Sequence, residues 1–221
     1  MAKNIHRALF IGNSFTARNN LPELVAQLTS AGNKGVFEHE FISVNGAPLR
    51  THLNKGEAQQ RMQAARRDYV VLQEQSTLPV KNPARTAENI RDFDAAIKEA
   101  GAQTVLYMTW ARQNAPETQE TLSETYTQVG RELAATVVPA GLALQHCLAT
   151  HPDIVLHDKD QSHPNLAGSY LAACTFYATL FIGRSRTIPA IDIDLDDSTI
   201  KALHGTALRD RARLQEERCL N

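Results

Sequence analysis

The stretch ALFIGNSFTARNNLPELVAQL, residues 8–28, decides how the chain is built. Ala8 to Ile11 is a short apolar run bounded by turn residues, which fits a buried strand better than a helix. It breaks at Gly12-Asn13-Ser14, and an amphipathic helix follows: Asn20 as its cap, Pro22 in the first turn, Glu23 at the third helical position, Gly32 as its stop. A strand, a turn of small polar residues and a helix open a βαβ unit. A serine just past the carboxyl end of such a strand stands where open α/β sheets hold ligands and chemistry. Many such serines only close a turn.

Outward from that stretch, strand-like runs alternate with helical patterns. Strands are expected at residues 7–11, 37–44, 69–72, 104–108 and 136–138, with 154–156 a weaker extended piece. Helices are expected at 57–65, 85–100, 119–135, 142–149 and 166–181, the last capped by Asn165 and closed by Gly183. The alternation predicts an α/β protein: a three-layer α/β/α sandwich, flavodoxin-like, around a mainly parallel sheet of about five strands. A chain of 221 residues reads as one domain, 1–221. Its tail, 184–221, carries an acidic DIDLDD patch and a basic amphipathic ALRDRARLQEER helix expected to pack on the domain surface.

A formal net charge of -1 with scattered charges gives no electrostatic reason to expect nucleic acid or an anionic membrane as partner. The apolar runs fall far below the roughly 18 to 20 residues of a membrane helix. MAKNIHRALF leads into the first strand without the apolar core of a signal peptide, so a cytoplasmic protein is expected. Cys147, Cys174 and Cys219 are odd in number and form no CxxC pattern; they read as reduced thiols, two of them core filler. His52, His146, His151 and His157 have no partner at metal-ligand spacing, and no metal or cofactor is expected.

A second informative segment is HDKDQSHPNLAGSYLAACTFYATLFIG, residues 157–183. Pro164 biases His163 away from helical geometry, so His163 falls on the loop ahead of the Asn165-capped helix, with Asp160 three residues before it. A carboxylate at that spacing can reach back to an imidazole. Serine hydrolysis needs this pair: a hydroxyl is a poor nucleophile until a neutral imidazole takes its proton, and a carboxylate fixes the imidazole tautomer. A capping Asp beside a surface His would read the same way.

Taken together, GNSFT at 12–16, LQEQS at 72–76 and DxxHPN at 160–165 resemble the SGNH hydrolase superfamily, also called GDSL esterases, in a branch where GNS replaces GDS. The resemblance spans residues 7 to about 183, and no G-x-S-x-G elbow is present. It implies Ser14 as nucleophile, His163 as base and Asp160 as orienting carboxylate. It also implies an oxyanion hole of three donors: the Ser14 N–H, the Gly46 N–H in ISVNGAPL, and a side-chain amide after the third strand. There the chain departs from the family pattern: QEQSTLP follows DYVVL where G-x-N-D is expected, and no asparagine comes before Asn82. A glutamine amide can meet the same need, with Gln75 ahead of Gln73, and strand parity puts both on one side. Asn13, Asn45, Glu74 and Trp110 are further pocket residues in this reading. Glu74 equally faces away. Trp110, Arg112 and Gln113 follow the fourth strand on the functional edge, where they can line a sugar or acyl pocket, and Trp110 equally serves the core.

The implied activity is that of a serine esterase removing a small acyl group, such as acetyl, from a carbohydrate or other polar alcohol through an acyl-serine intermediate. Its partner would be a small-molecule ester. The rival is a non-catalytic flavodoxin-like module that cradles a phosphate or flavin on GNSFT, or holds a glycan. It leaves Asp160 and His163 unexplained, and the chain lacks aromatic loops to sandwich a flavin ring.

Overall fold

Period-two alternation along β1 (Ile5–Gly12) sorts its side chains between two cores. Ala8 and Phe10 enter one, Leu9 and Ile11 the other, all four fully buried. Only a strand covered on both faces buries consecutive residues this way. The structure, a computed structural model, describes residues 4–183 and 185–219.

After β1 come the single turn α1 (Ser14–Ala17), α2 (Leu21–Ala31), β2 (Val36–Ser43), α3 (Leu49–Lys55), α4 (Glu57–Ala64) and β3 (Tyr69–Leu72). The second half holds α5 (Leu78–Lys81), α6 (Pro83–Glu99), β4 (Gln103–Tyr107), α7 (Gln119–Glu132), β5 (Thr136–Val138), α8 (Ala140–Thr150), α9 (Leu166–Leu180) and α10 (Asp197–Cys219). The sheet runs β2-β1-β3-β4-β5 with every pair parallel. This is the flavodoxin-like order, with its switch point between β1 and β3. Pairing of Gly12 with Ser43 and of Ile11 with Leu72 brings the carboxyl ends of β1, β2 and β3 level, so their loops emerge at one edge.

One core packs α2, α8, α9 and α10 on the sheet and includes Phe176, Tyr177 and Leu203. The other packs α3, α4, α6 and α7 and includes Leu49, Met62, Phe93 and Tyr126. Cys147 and Cys174 are buried free thiols in the first core; the side chains of α10 beyond Arg209, that of Cys219 among them, lie outside what the structure describes.

Several elements differ from the sequence expectation. Residues 154–156 form no strand: the Leu156 carbonyl accepts from Asn165 N–H and the Val155 carbonyl from the Asn165 amide, so a loop takes the groups a ladder would use. Asn20 does not cap α2 with its side chain; it sits in the left-handed region at φ 50°, which asparagine tolerates and a capping residue does not adopt. Gly32 does end α2, but at φ -79°; a Cβ there would meet the Tyr177 hydroxyl at 2.1 Å, so packing demands the glycine. Asn165 caps α9 as expected, accepting from Gly168 N–H, while Gly183 lies two residues past the Phe181 cap. The short helices α1, α3 and α5 were not expected.

Candidate active site

Ser14 begins α1 directly beyond β1, with Asn13 as the cap that accepts from Phe15 N–H. The turn is tight because Gln73 lies beneath it: a Cβ on Gly12 would stand 2.7 Å from Gln73 Oε1. His163 reaches Ser14 from the loop before α9, its Nε2 2.7 Å from Ser14 Oγ. On the other ring nitrogen, Nδ1 donates to Asp160 Oδ2 at 2.5 Å. Asp160 Oδ1 accepts from the N–H groups of Ser162 and His163 at 3.0 and 2.9 Å. The ring proton therefore lies on Nδ1, and Nε2 faces the serine hydroxyl as an acceptor. Hydrogen bonds from His163 hold the Asp160 carboxyl far below the usual carboxylate range, so it remains an anion at any working pH.

The loop carrying this pair is held from several sides. Trp110 Nε1 donates to the Ser162 carbonyl at 3.0 Å and Gln113 N–H to the Gln161 carbonyl at 2.9 Å. His157 and Pro164 form an isolated antiparallel bridge that closes its base. Phe15 packs on the His163 ring at 5.1 Å and on Trp110 at 5.2 Å.

Three residues that carry a candidate donor, Ser14, Gly46 and Gln75, line the same cavity. The N–H groups of Ser14 and Gly46 have no acceptor among the described residues. Gly46 occupies the third position of a turn closed by Ala47 N–H to the Val44 carbonyl, and its φ of 65° is the conformation that favours glycine there. Gln75 Oε1 accepts from Thr77 N–H, the Thr77 hydroxyl and Leu78 N–H, so its oxygen is identified and its Nε2 stays free to donate. These groups open on a cavity of about 660 Å³ whose lining includes Asn13, Ser14, Gly46, Gln75 and His163.

The remaining sequence candidates separate. Gln73 is buried and consumed: its oxygen accepts from Asn13 N–H and the Thr16 hydroxyl, and its nitrogen donates to the Glu74 carbonyl. It cannot be an oxyanion donor in this arrangement, and the parity argument fails because both glutamines lie past the end of β3 at Leu72. Glu74 is not on the pocket rim either. Fully buried, it accepts from Leu49 N–H, Gln75 N–H and the Asn89 amide, and burial pushes its carboxyl above the usual value. Asn13 lines the cavity with a committed amide, donating to the Ala47 carbonyl, while Asn45 lies in the wall. Trp110 backs the site from the core and lines an adjoining compartment instead.

A structure from Slackia heliotrinireducens described as a candidate SGNH hydrolase matches with a TM-score of 0.71 at 28% identity, over 80% of this chain and all of that one. The chain has the SGNH hydrolase fold. A DUF4886-family protein from Bacteroides uniformis matches at 0.72 and 16% identity over 93% of this chain and 94% of its own. An acetylxylan esterase, Axe2 from Geobacillus stearothermophilus, matches at 0.63 and 16% identity over 80% and 94%. No family model matches the sequence, and neither does any curated protein.

Within this SGNH fold, sequence reasoning missed three polar residues in the walls of the cavity, Arg18, Asn19 and Ser76, whereas Arg112, expected on this edge, does line it. Asn19, left-handed at φ 53°, bonds the Ser169 hydroxyl at 2.8 Å. The only signal for it was the Asn19-Asn20 pair, which marks a backbone turn as readily as a helix cap. Among the described residues, no group of three His, Cys, Asp or Glu is placed to hold a metal ion, and no helix is long and apolar enough to cross a membrane.

Proposed function

We propose that the chain is a serine ester hydrolase with Ser14 as nucleophile. The observation that carries this reading is the Ser14–His163–Asp160 relay, with contacts of 2.7 and 2.5 Å. His163 Nε2 takes the hydroxyl proton as Ser14 Oγ attacks the ester carbonyl. The N–H groups of Ser14 and Gly46 and the Gln75 amide receive the charge that develops on the carbonyl oxygen. His163 returns the proton to the departing alcohol, and water activated by the same nitrogen then releases the acid from Ser14. A flavin- or phosphate-binding module has no use for a histidine oriented onto a serine by a carboxylate.

The open cavity with Asn19, Asn45 and Ser76 in its wall supports a polar alcohol carrying a short acyl group. The acetylxylan esterase among the structural relatives points the same way for carbohydrate acetates. A fluorophosphonate probe is expected to add to Ser14, and Ser14→Ala to lose both labelling and nearly all p-nitrophenyl acetate turnover while keeping its circular dichroism. Adduct mass on another serine, or hydrolysis surviving in the folded variant, overturns the assignment.

A further inference from the structure

The cavity at Ser14 continues into a second compartment of about 280 Å³, which shares Ser76 and Arg112 with it and is walled by Val80, Trp110 and Leu122. Its charges are all of one sign. Arg112 and Lys81 line it, Arg18 lines the Ser14 side, and no Asp or Glu lines either compartment. Arg18 is neutralised by Asp158 at 2.8 Å. The side chains of Arg112 and Lys81 have neither an ion pair nor a hydrogen bond among the described residues, whereas Arg50, Arg61, Arg67 and Arg91 each hold a carboxylate. An unpaired guanidinium in a cleft partly walled by apolar side chains is the group that recognises a carboxylate or phosphate by paired hydrogen bonds. A cleft of one charge sign also raises the local concentration of the opposite ion.

Arg112 lines the Ser14 cavity together with His163. Gln113, its neighbour, bonds the Gln161 carbonyl and so ties this segment to the loop of His163, the residue that hands its proton to the departing alcohol. Resting on the esterase reading, we propose that the substrate's alcohol portion bears an ionised acid group, held by Arg112 with Lys81 at the rim, and an apolar part seated between Val80 and Trp110.

The test compares 4-acetoxybenzoate with its methyl ester, each kcat/KM divided by the hydroxide-catalysed rate of the same compound. A charge-assisted contact favours the carboxylate by roughly ten- to a hundredfold at low salt. The preference is expected to shrink in added salt and to approach unity in Arg112→Gln. Lys81→Gln gives a smaller loss, and Arg66→Gln, at the opposite end of the sheet, leaves the preference intact. Equal normalised rates in the wild type, or a preference that survives Arg112→Gln, overturn the proposal. A charge preference confined to the acyl side, read with monophenyl adipate against phenyl hexanoate, also overturns it. The esterase reading fails separately: wild-type protein that hydrolyses neither these esters nor phenyl acetate removes both.

Discussion

In the proposed hydrolysis, Gln75 is a donor whose direction is set by its own acceptor. Three bonds to Oε1 from Thr77 and Leu78 lock the amide plane, so Nε2 needs no reorganisation when charge forms at the carbonyl oxygen. Its contribution belongs to the transition state, and Gln75→Ala is expected to lower kcat by roughly 10² to 10³ with little change in KM. Gln75→Glu is no better, because it presents a carboxylate to an anion. Gln73→Ala separates the two glutamines by a different readout. It strips acceptors from Asn13 N–H and the Thr16 hydroxyl beneath the nucleophile turn, and the expected loss is about 1 to 3 kcal/mol in a denaturant titration. A Gln73→Ala protein of unchanged stability with a purely kinetic defect would reverse these roles.

At the scale of elements, the buried carboxylate of Glu74 couples the two segments that carry Gly46 and Gln75, the donors proposed for the oxyanion. It receives the first N–H of α3, just beyond the Gly46 turn, and the N–H of Gln75, while its other oxygen faces the Asn89 amide of α6. Glu74→Gln sets an amide donor against the Asn89 donor, and kcat is expected to fall roughly ten- to a hundredfold as the donors shift. Exchanging the polarity, Glu74→Gln with Asn89→Asp, lets residue 74 donate to residue 89, which still accepts from Arg50. The double variant should be more stable and more active than Asn89→Asp, in which two buried carboxylates meet, and more active than Glu74→Gln. A coupling below about 0.5 kcal/mol in that cycle would mean that Glu74 does not hold these segments. The same contact explains why α3 was not legible: its N-terminal partner is a side chain 25 residues away, and Pro48 supplies no side-chain cap. The strands β1, β3 and β4 were legible because double-sided burial leaves continuous apolar runs, whereas the edge strand β2 carries Glu38, His39 and Glu40 in its middle. The Asp160 and His163 loop was legible because Pro164 and the Asn165 cap mark its end locally. Asn20 was misread because a capping asparagine and a left-handed one leave the same letter in the sequence.

Over the whole molecule, burial holds His52, His157 and His204 below the usual imidazole value. Each is favoured neutral in the folded chain, so the unfolded chain binds more protons near and below pH ~6.5. Their contribution is present in full above that value and is lost as pH falls toward the lowered native values. Glu74 acts in the opposite sense, since burial makes its folded form take a proton more readily. Asp160, held low by His163, adds stability that persists until strong acid. The melting temperature is expected to drop between pH 7.5 and 5, and His52→Gln, which can still donate to the Gly12 carbonyl, should flatten part of that slope. A melting temperature that rises on acidification would contradict three neutral buried imidazoles.

Because alternate residues of each strand feed different cores, the sheet divides labour as well as packing. Ser14 and the His163 loop lead into helices of one layer, α2 and α9; the Gly46 turn and Gln75 lead into α3 and α6 of the other. In the proposed hydrolysis, activation of the nucleophile thus belongs to one side of the wall and two of the three oxyanion donors to the other, the sides being bridged at the edge by Asn13 and Gln73. Sequence drift in one layer can retune one half of the chemistry without disturbing the other, and a lineage that lost turnover through the α3 side would still carry a serine and histidine in contact.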